Sequence, residues 1–174
     1  SEKFNIEAGR IICGAGSDQI FDLICKLFLE PNDQVIVTEF GFIMHRIYAS
    51  IHGAKVVLAK EENYKTSVEE ILKKVTDKTK IVFIANPNNP TGTYLSKNEI
   101  INLREKLRSD ILLVVDDAYF ELMITNAWNL DNKKYGKGWG AEVWYKVNCS
   151  IKIKSTFIKV LMKFSYLWGF GVLG

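Results

Sequence analysis

Apolar runs and helical patterns alternate along the first 125 residues of the chain. Five short runs have the composition of β-strands, namely IIC at residues 11–13, QVIVTE, AKVVLA, KIVFIA and ILLVVD. Between them, apolar residues recur at helical spacing, first after GAGSDQ and then over residues 42–51, where Gly53 ends the pattern. Because the longer runs are apolar on both faces and helices separate them, the pattern predicts an α/β fold with three layers, in which helices cover both faces of a mostly parallel sheet.

Two helix starts carry a specific local signal. Ser67 and Glu70 stand three positions apart before ILKKV, and Ser96 and Glu99 repeat this spacing before the next helical stretch. In such a capping box, each side chain bonds to the backbone N–H of the other residue. The sequence therefore predicts helices that begin directly after Ser67 and after Ser96.

The composition is that of one globular domain with modest charge. The chain has 174 residues, 48% of them hydrophobic, and a net charge of +3. Because both signs of charge are mixed over the first 125 positions, we expect no nucleic-acid surface. The three cysteines are odd in number and form no CxxC pair, which indicates neither a disulfide framework nor a zinc site. These features favour a location in the reducing cytoplasm.

Membrane insertion and secretion are not expected either. No segment has the pattern of a signal peptide. The apolar stretch at residues 160–174 is interrupted by Lys163 and is too short to span a bilayer.

Loops at the carboxyl ends of parallel strands are where ligands bind, so these loops hold the candidate chemistry. GAGSDQ lies before the first helix, where free N–H groups and the helix dipole favour a phosphate. The same residues also suit an ordinary turn capped by Ser17 or Asp18. Phe42 begins the second helix, and its ring could stack on a flat ligand or pack into the core. His45 and His52 show no metal-ligand spacing with nearby carboxylates, so we expect no metal site.

Two further loops are rich in polar groups. In NPNNPTG, Pro87 and Pro90 remove backbone donors, and asparagine side chains can supply replacement hydrogen bonds, although turn chemistry alone explains part of this composition. Asp116 ends the buried strand ILLVVD, where a carboxylate needs a cation or strong donors, and Tyr119 could direct its hydroxyl to the same space. The alternative for Asp116 is an ordinary helix N-cap.

Together, these loops resemble those of the fold type I, class I/II aminotransferases that depend on pyridoxal 5'-phosphate (PLP), and within them the branch that acts on histidinol phosphate. The matching stretches are GAGSDQIFDLICKLFLEPNDQVIV, GAKVV, KTKIVFIANPNNPTG and LLVVDDAYFEL, in the family's order across residues 4–125. The resemblance implies a large domain that binds PLP, with histidinol phosphate as amino donor and 2-oxoglutarate as acceptor in histidine biosynthesis. It also implies a homodimer in the intact enzyme.

The resemblance assigns a role to each matched residue. The backbone of Ser17 and Asp18 would hold the cofactor phosphate, and Phe42 would stack on the pyridine ring. Asn89 and Tyr119 would approach the phenolic oxygen of the ring. Asp116 would pair with the ring nitrogen, which keeps that nitrogen protonated so that the ring can accept electrons.

The lysine that binds the cofactor covalently is not matched in its usual Thr-Phe-Ser-Lys type stretch. Lys159, in TFIK, is the candidate that the resemblance leaves, although it follows Asp116 at a longer distance than in the family. Lys146 has about the family's spacing but lies in WYKVN, and the similar stretch FSYLWG has Tyr166 where the lysine belongs.

The composition changes near residue 125. All four tryptophans and six of the twelve glycines lie in residues 126–174, where no period holds for long. We therefore expect a partial large domain over residues 1–125 and a tail over 126–174, either from a reading-frame change near residues 122–130 or as a divergent segment. The chain also stops before the family's substrate-binding arginine and small domain, so we expect a truncated and inactive relative.

Two other functions are consistent with parts of the sequence. Gly14, Gly16 and Gln19 stand at the spacing of a dinucleotide-binding turn, with Glu39 at the end of the next strand, but the third glycine of that motif is missing. A remnant that binds a partner without catalysis is the other alternative. Reading the nucleotide sequence beyond codon 120 in all frames would test the reading-frame hypothesis.

Overall fold

The computed structural model describes residues 12–119 and, for the backbone only, the strand at residues 157–160. Its helices are α1 (Gly16–Phe28), α2 (Ile43–Ile51), α3 (Val68–Lys73) and α4 (Lys97–Lys106). Its strands are β1 (Gln34–Thr38), β2 (Lys55–Ala59), β3 (Glu61–Glu62), β4 (Lys65–Thr66), β5 (Thr79–Ala85), β6 (Leu112–Asp116) and β7 (Phe157–Val160).

The main sheet confirms the predicted fold class. It has five strands in the order β2-β1-β5-β6-β7, and every neighbouring pair is parallel. The four longer apolar runs of the sequence form β1, β2, β5 and β6. The short strands β3 and β4 make a separate antiparallel hairpin, in which Asn63 and Tyr64 both adopt positive φ. That turn geometry matches the twist of a two-residue hairpin.

Two buried clusters show that helices cover both faces of the sheet. On one face, α1 and α2 pack against alternate strand residues through the buried side chains Phe21, Ile24, Cys25, Ala49, Val35, Val37, Ile81, Phe83, Leu112 and Val114. On the other face, α3 and α4 pack through Ile71, Ile100, Leu103, Ile36, Val82, Ile84, Leu113 and Val115. Because successive strand residues point to opposite faces, this alternation assigns Asp116, two positions after Val114, to the α1–α2 face.

The helix starts agree with the sequence in part. α4 begins with the complete predicted capping box, in which Ser96 and Glu99 each bond to the other's backbone N–H. At α3, the Ser67 hydroxyl accepts from the Glu70 N–H, but the Glu70 carboxylate pairs with Lys73. Only half of that capping box therefore forms.

Two expectations at the amino-terminal end are wrong. Ile12 and Cys13 are exposed and form no strand within the described residues. The N-cap of α1 is Ala15, so Ser17 and Asp18 lie inside the first turn and do not cap it. An isolated apolar triplet has no stability as a strand without a neighbour to pair with. Residues 12–15, the described part of the chain before α1, therefore do not supply the strand that a dinucleotide-binding βαβ unit requires.

Other sequence predictions lie largely outside the described residues. The boundary at residue 125 and the tail at 126–174, apart from the backbone of β7, belong to this group. Within the described part of the chain, none of the helices has the length and apolar character needed to span a membrane. The same part contains no cluster of three or more potential metal ligands.

Candidate functional site

The loops that follow β5 and β6 start side by side at one edge of the sheet. Ala85 is the register partner of Asp116, and the Asn86 N–H donates to the Asp116 carbonyl at 2.8 Å. The motif NPNNPTG and the motif DDAY therefore leave the sheet together, as the sequence predicts for adjacent parallel strands.

Asp116 is a buried carboxylate at this edge. It is 3% exposed, and its Oδ1 accepts a hydrogen bond from the Ala118 N–H at 3.1 Å. Its Oδ2 lies 3.3 Å from Nε2 of His45, which is itself 2% exposed. Among residues 12–119, no lysine or arginine forms an ion pair with Asp116. A carboxylate removed from water in this way is suited to a cationic ligand group.

Asn89 and Tyr119 come together across the two loops. The Asn89 amide donates to the Tyr119 hydroxyl at 3.3 Å, although the two residues are 30 positions apart. Asn89 is half-buried and Tyr119 is 38% exposed, so their polar ends can reach a ligand from solvent. This pair could present two hydrogen-bonding groups to one oxygen atom.

The NPNNPTG loop is held by its own asparagines, as predicted. The Asn86 amide donates to the Leu95 carbonyl at 3.1 Å and accepts from the Leu95 N–H at 2.7 Å. The Asn88 amide donates to the Thr91 hydroxyl at 3.0 Å and lies within 3.4 Å of the Phe40 carbonyl. Both Asn–Pro peptide bonds of the loop are cis. The hydrogen bonds of Asn86 and Asn88 hold this loop in place and leave the half-buried Asn89 at the edge that faces Tyr119.

Glu61 links this loop to the segment after β1. Its Oε1 accepts from the Phe40 N–H at 3.3 Å and from the Asn88 amide at 3.4 Å. Burial raises the pKa of the Glu61 carboxyl, and hydrogen bonds from Thr38 and Phe40 oppose this rise. The carboxylate of Glu61 thus joins the segments that follow β1, β2 and β5 by hydrogen bonds at the carboxyl edge of the sheet.

The first turn of α1 supplies N–H groups at the same edge. The Gln19 amide oxygen accepts from the Ala15 N–H at 2.6 Å, but the N-cap residue supplies no side-chain cap to the N–H groups that follow. Gly16 has a φ of +82°, a conformation that glycine adopts at little cost. Ser17 is 5% exposed, whereas Asp18 is exposed. A short connection joins the carboxyl end of α1 to the amino end of β1, so α1 runs antiparallel to the strands and begins at their carboxyl edge. Uncapped N–H groups and the helix dipole suit an anion there.

Phe42 packs against the core, which is one of the two environments that the sequence allowed. It is the N-cap of α2, it is half-buried, and it packs against the cluster under α1 and α2. Its ring meets the His45 ring edge-on, with centroids 5.6 Å apart. Phe42 is thus a neighbour of the residue that faces Asp116.

The candidate lysine lies on the neighbouring strand. Lys159 is in β7, where its register partner is Val115, and Val160 is the partner of Asp116. Lys146 and Tyr166 lie outside the described residues. Because register partners in a parallel pair share a face, the backbone assigns Lys159 to the α3–α4 face with Val115, whereas Asp116 is on the α1–α2 face.

His45 is the site residue that sequence reasoning missed. The spacing of the histidines argues only against a metal site, whereas His45 faces a carboxylate inside an aromatic cluster. One signal was available, because His45 follows Phe42 by three positions and therefore shares a helix face with it.

Comparisons with known proteins agree on one family. The model of the family "Aminotransferase class I and II" matches residues 1–141. A histidinol-phosphate aminotransferase of Pelagibacter ubique is 53% identical over 173 residues, which are 98% of this chain and 45% of the relative. That of Paramagnetospirillum magneticum is 46% identical over 127 residues, 73% of this chain and 35% of the relative.

Solved structures agree with the sequence relatives. The crystal structure of histidinol-phosphate aminotransferase from Sinorhizobium meliloti in complex with pyridoxal-5'-phosphate superimposes with a TM-score of 0.60 at 27% identity. The superposition covers 62% of this chain and 30% of that one. The chain thus spans less than half the length of these relatives.

Proposed function

The chain belongs to the aminotransferase class I and II family, and we propose that it carries the central part of the large domain of a PLP-dependent aminotransferase. The observation that supports this most directly is the buried Asp116 carboxylate, which has no lysine or arginine partner among residues 12–119. The protonated nitrogen of a pyridine ring is the kind of cation that such a carboxylate can hold. The names of the relatives favour histidinol phosphate as amino donor. We further propose 2-oxoglutarate as the acceptor and the cytoplasm as the location.

The residues at the strand edge fit PLP in charge and in kind. The uncapped first turn of α1, with the N–H groups of Ser17 and Asp18, would bind the phosphate. Asn89 and Tyr119 would donate to the phenolic oxygen, and Phe42 would cover the ring. When bound, PLP supplies an electron-accepting ring that stabilises the charge left on the substrate Cα once its proton is removed.

Asp116 has the central role in this assignment. Its carboxylate would keep a proton on the ring nitrogen, because an adjacent anion stabilises the protonated form of a base. Its Oδ1 is already held by the Ala118 N–H, which limits rotation of the carboxylate. A carboxylate with a restricted orientation loses less entropy when it binds.

The resemblance leaves Lys159 as the candidate for covalent attachment of the cofactor, although its register with Val115 assigns it to the face of the sheet opposite to Asp116. We also propose that residues 1–125 form the partial large domain and that 126–174 form a tail of separate character. Since no lysine stands in the family's usual stretch, we expect the 174-residue chain to transaminate slowly. A missing general base lowers the rate by about 10²–10⁴. In the assembled enzyme we expect a homodimer.

The first experiment measures PLP binding by absorbance titration of the purified chain. We expect saturable binding that Asp116→Asn weakens by at least about tenfold, the scale of one charge-assisted hydrogen bond. Asp110→Asn is the matched control, because Asp110 is an exposed carboxylate at the opposite end of β6. Equal weakening by both variants, or no binding by the wild-type chain, would contradict the assignment.

A second experiment identifies the lysine and measures turnover. Borohydride reduction of the PLP-loaded chain followed by peptide mass mapping tests whether Lys159 carries the cofactor, and Lys159→Ala should abolish an adduct at this position. Incubation with histidinol phosphate and 2-oxoglutarate should give little glutamate. A stoichiometric adduct at Lys146 would refute the lysine assignment, and rapid turnover would refute the expected inactivity. Binding without any adduct would favour the alternative of a non-catalytic remnant.

A further inference from the structure

The β3–β4 hairpin places a carboxylate between two loops of the candidate site. Glu61 is half-buried, and its Oε1 accepts from the Phe40 N–H at 3.3 Å and from the Asn88 amide at 3.4 Å. Burial raises the pKa of this carboxyl, and hydrogen bonds from Thr38, Phe40 and Asn88 act in the opposite direction. A carboxylate partly removed from water is stabilised by the donors around it, so the same contacts hold both loops to Glu61.

The hairpin that carries this carboxylate is itself fixed to the rest of the domain. Lys65 forms an ion pair with Glu99 at the start of α4, with 2.7 Å between Nζ and Oε1. The Tyr64 carbonyl accepts from the Thr93 hydroxyl at 2.7 Å. Because the backbone of the hairpin is held at these two points, Glu61 presents its carboxylate to the loops from a supported position.

Each of the two loops carries a group that the proposed function assigns to the cofactor ring. Asn89 directly follows Asn88, and Phe42 follows Phe40 by two positions. The Asn88 amide also lies 3.4 Å from the Phe40 carbonyl, so the two loops are joined to each other as well as to the hairpin. Oε1 of Glu61 is the one atom that accepts from both of them.

We propose that Glu61 is a positioning residue that sets Asn89 at the phenolic oxygen of the cofactor ring by joining Asn88 to Phe40. This inference rests on the proposed function, since it concerns how the same site recognises that oxygen. Glu61 acts only through the two loops. Because a hydrogen bond weakens steeply as its distance and angle depart from the ideal, a small shift of the loop would lose the contact between Asn89 and the ring oxygen.

The test compares the affinity for PLP with the affinity for its 3-deoxy analogue, which lacks the phenolic hydroxyl. We expect the wild-type chain to bind PLP about fivefold more tightly than the analogue, the scale of one hydrogen bond. Glu61→Met keeps the length of the side chain but removes the acceptor, and it should bring the two affinities to within about twofold of each other. Glu61→Gln keeps an oxygen acceptor and should retain most of the preference. A role in filling space alone predicts that these two variants behave alike.

The ratio of the two affinities separates positioning from stability, because a loss of folded chain weakens both ligands by the same factor. Glu61→Asp withdraws the carboxylate by one methylene group, should also lower the preference, and does not depend on the folding of Glu61→Met. The matched control is Glu62→Met, because Glu62 is the exposed neighbour on β3 and should leave the preference unchanged. Asn89→Ala should remove the preference, and adding Glu61→Met to it should have no further effect.

A second readout needs no cofactor. The side-chain amide signals of Asn88 and Asn89, followed by nitrogen-15 NMR, should shift in Glu61→Met and stay unchanged in Glu62→Met. The inference is overturned if the Asn89 signals do not respond, if Glu61→Met and Glu61→Asp keep the wild-type preference, or if Glu61→Gln loses as much of it as Glu61→Met.

The failure of this inference and that of the proposed function give different results. A wild-type chain that binds PLP and the 3-deoxy analogue equally well overturns the inference alone. A wild-type chain that binds neither ligand overturns the proposed function and the inference with it, and the NMR signals, which need no ligand, show whether the link from Glu61 to Asn89 is nevertheless present.

Discussion

Arg104 is a buried cation whose removal tests how the carboxyl end of α4 is joined to β6. It is 9% exposed, and its guanidinium donates to the carbonyls of Ile111 at 2.6 Å, Leu107 at 3.0 Å and Arg108 at 2.6 Å. These carbonyls belong to the end of the helix and to the turn that leads into β6, where helical partners are lacking. Burial lowers the pKa of Arg104, and Asp110 partly opposes this effect.

Arg104→Met replaces the guanidinium with an apolar side chain of similar length. Each lost hydrogen bond contributes about 1 kcal/mol net, so we expect the free energy of unfolding to fall by about 3 kcal/mol. With a slope of about 1.5–2 kcal/mol per molar urea, the unfolding midpoint should fall by roughly 1.5–2 M. Far-UV circular dichroism during urea titration measures this midpoint.

Two variants of α4 serve as controls for Arg104→Met. Arg104→Lys keeps the charge but has fewer hydrogen-bond donors, so its urea unfolding midpoint should lie between those of Arg104→Met and the wild type. Lys106→Met makes the same kind of change at an exposed position of the same helix and should shift the free energy by less than about 0.5 kcal/mol. If Arg104→Met unfolds at the wild-type midpoint or above it, the desolvation cost of the buried cation outweighs its three hydrogen bonds, and our reasoning is wrong.

Three further changes test other parts of the structure. The hydrogen bond from Lys65 lowers the pKa of Glu99 to about 2 from 4.5, so its stabilising effect is present above pH 4.5 and is lost as the pH falls toward 2. Since Glu99 is 38% exposed, we expect Glu99→Gln to cost only about 1 kcal/mol at pH 7 and less at pH 3, as measured by urea unfolding. Asn86→Ala removes both hydrogen bonds to Leu95 and should cost about 2 kcal/mol in the same assay, a result that an unchanged midpoint would contradict. Burial raises the pKa of Cys25 from 9.0 to about 12. The thiol of the native chain should therefore be alkylated on the order of 10³-fold more slowly than that of the unfolded chain, and intact-mass spectrometry measures the two rates.

The candidate site was predictable from sequence where chemistry and strand ends coincide. Asp116 ends an apolar strand, and Asn89 and Tyr119 follow two such strands, so topology alone brings them to one edge. The contact between His45 and Asp116 could not be derived in this way. A helix position indicates which face a side chain shares with its neighbours, but not which strand residue it meets across the interface.

In the amino-terminal region, by contrast, the sequence predicted local structure that does not form. IIC has the composition of a strand, yet Ile12 and Cys13 form none within the described residues. Ser17 and Asp18 are favourable N-cap residues, yet the helix begins earlier, at Gly16, with Ala15 as N-cap. Local preferences of about 1 kcal/mol do not decide such boundaries when the surrounding packing and turn geometry compete with them.

By itself, the sequence determined the α/β class, the four main strands and the complete capping box of α4, because hydrophobic periodicity and local hydrogen bonding act over a few neighbouring residues. Tertiary structure alone decided which side chains meet. It brought Nε2 of His45 to Asp116 and the Asn89 amide to Tyr119. These contacts depend on strand order, register and helix placement, which follow from packing over the whole domain and leave no signature within any short stretch of sequence.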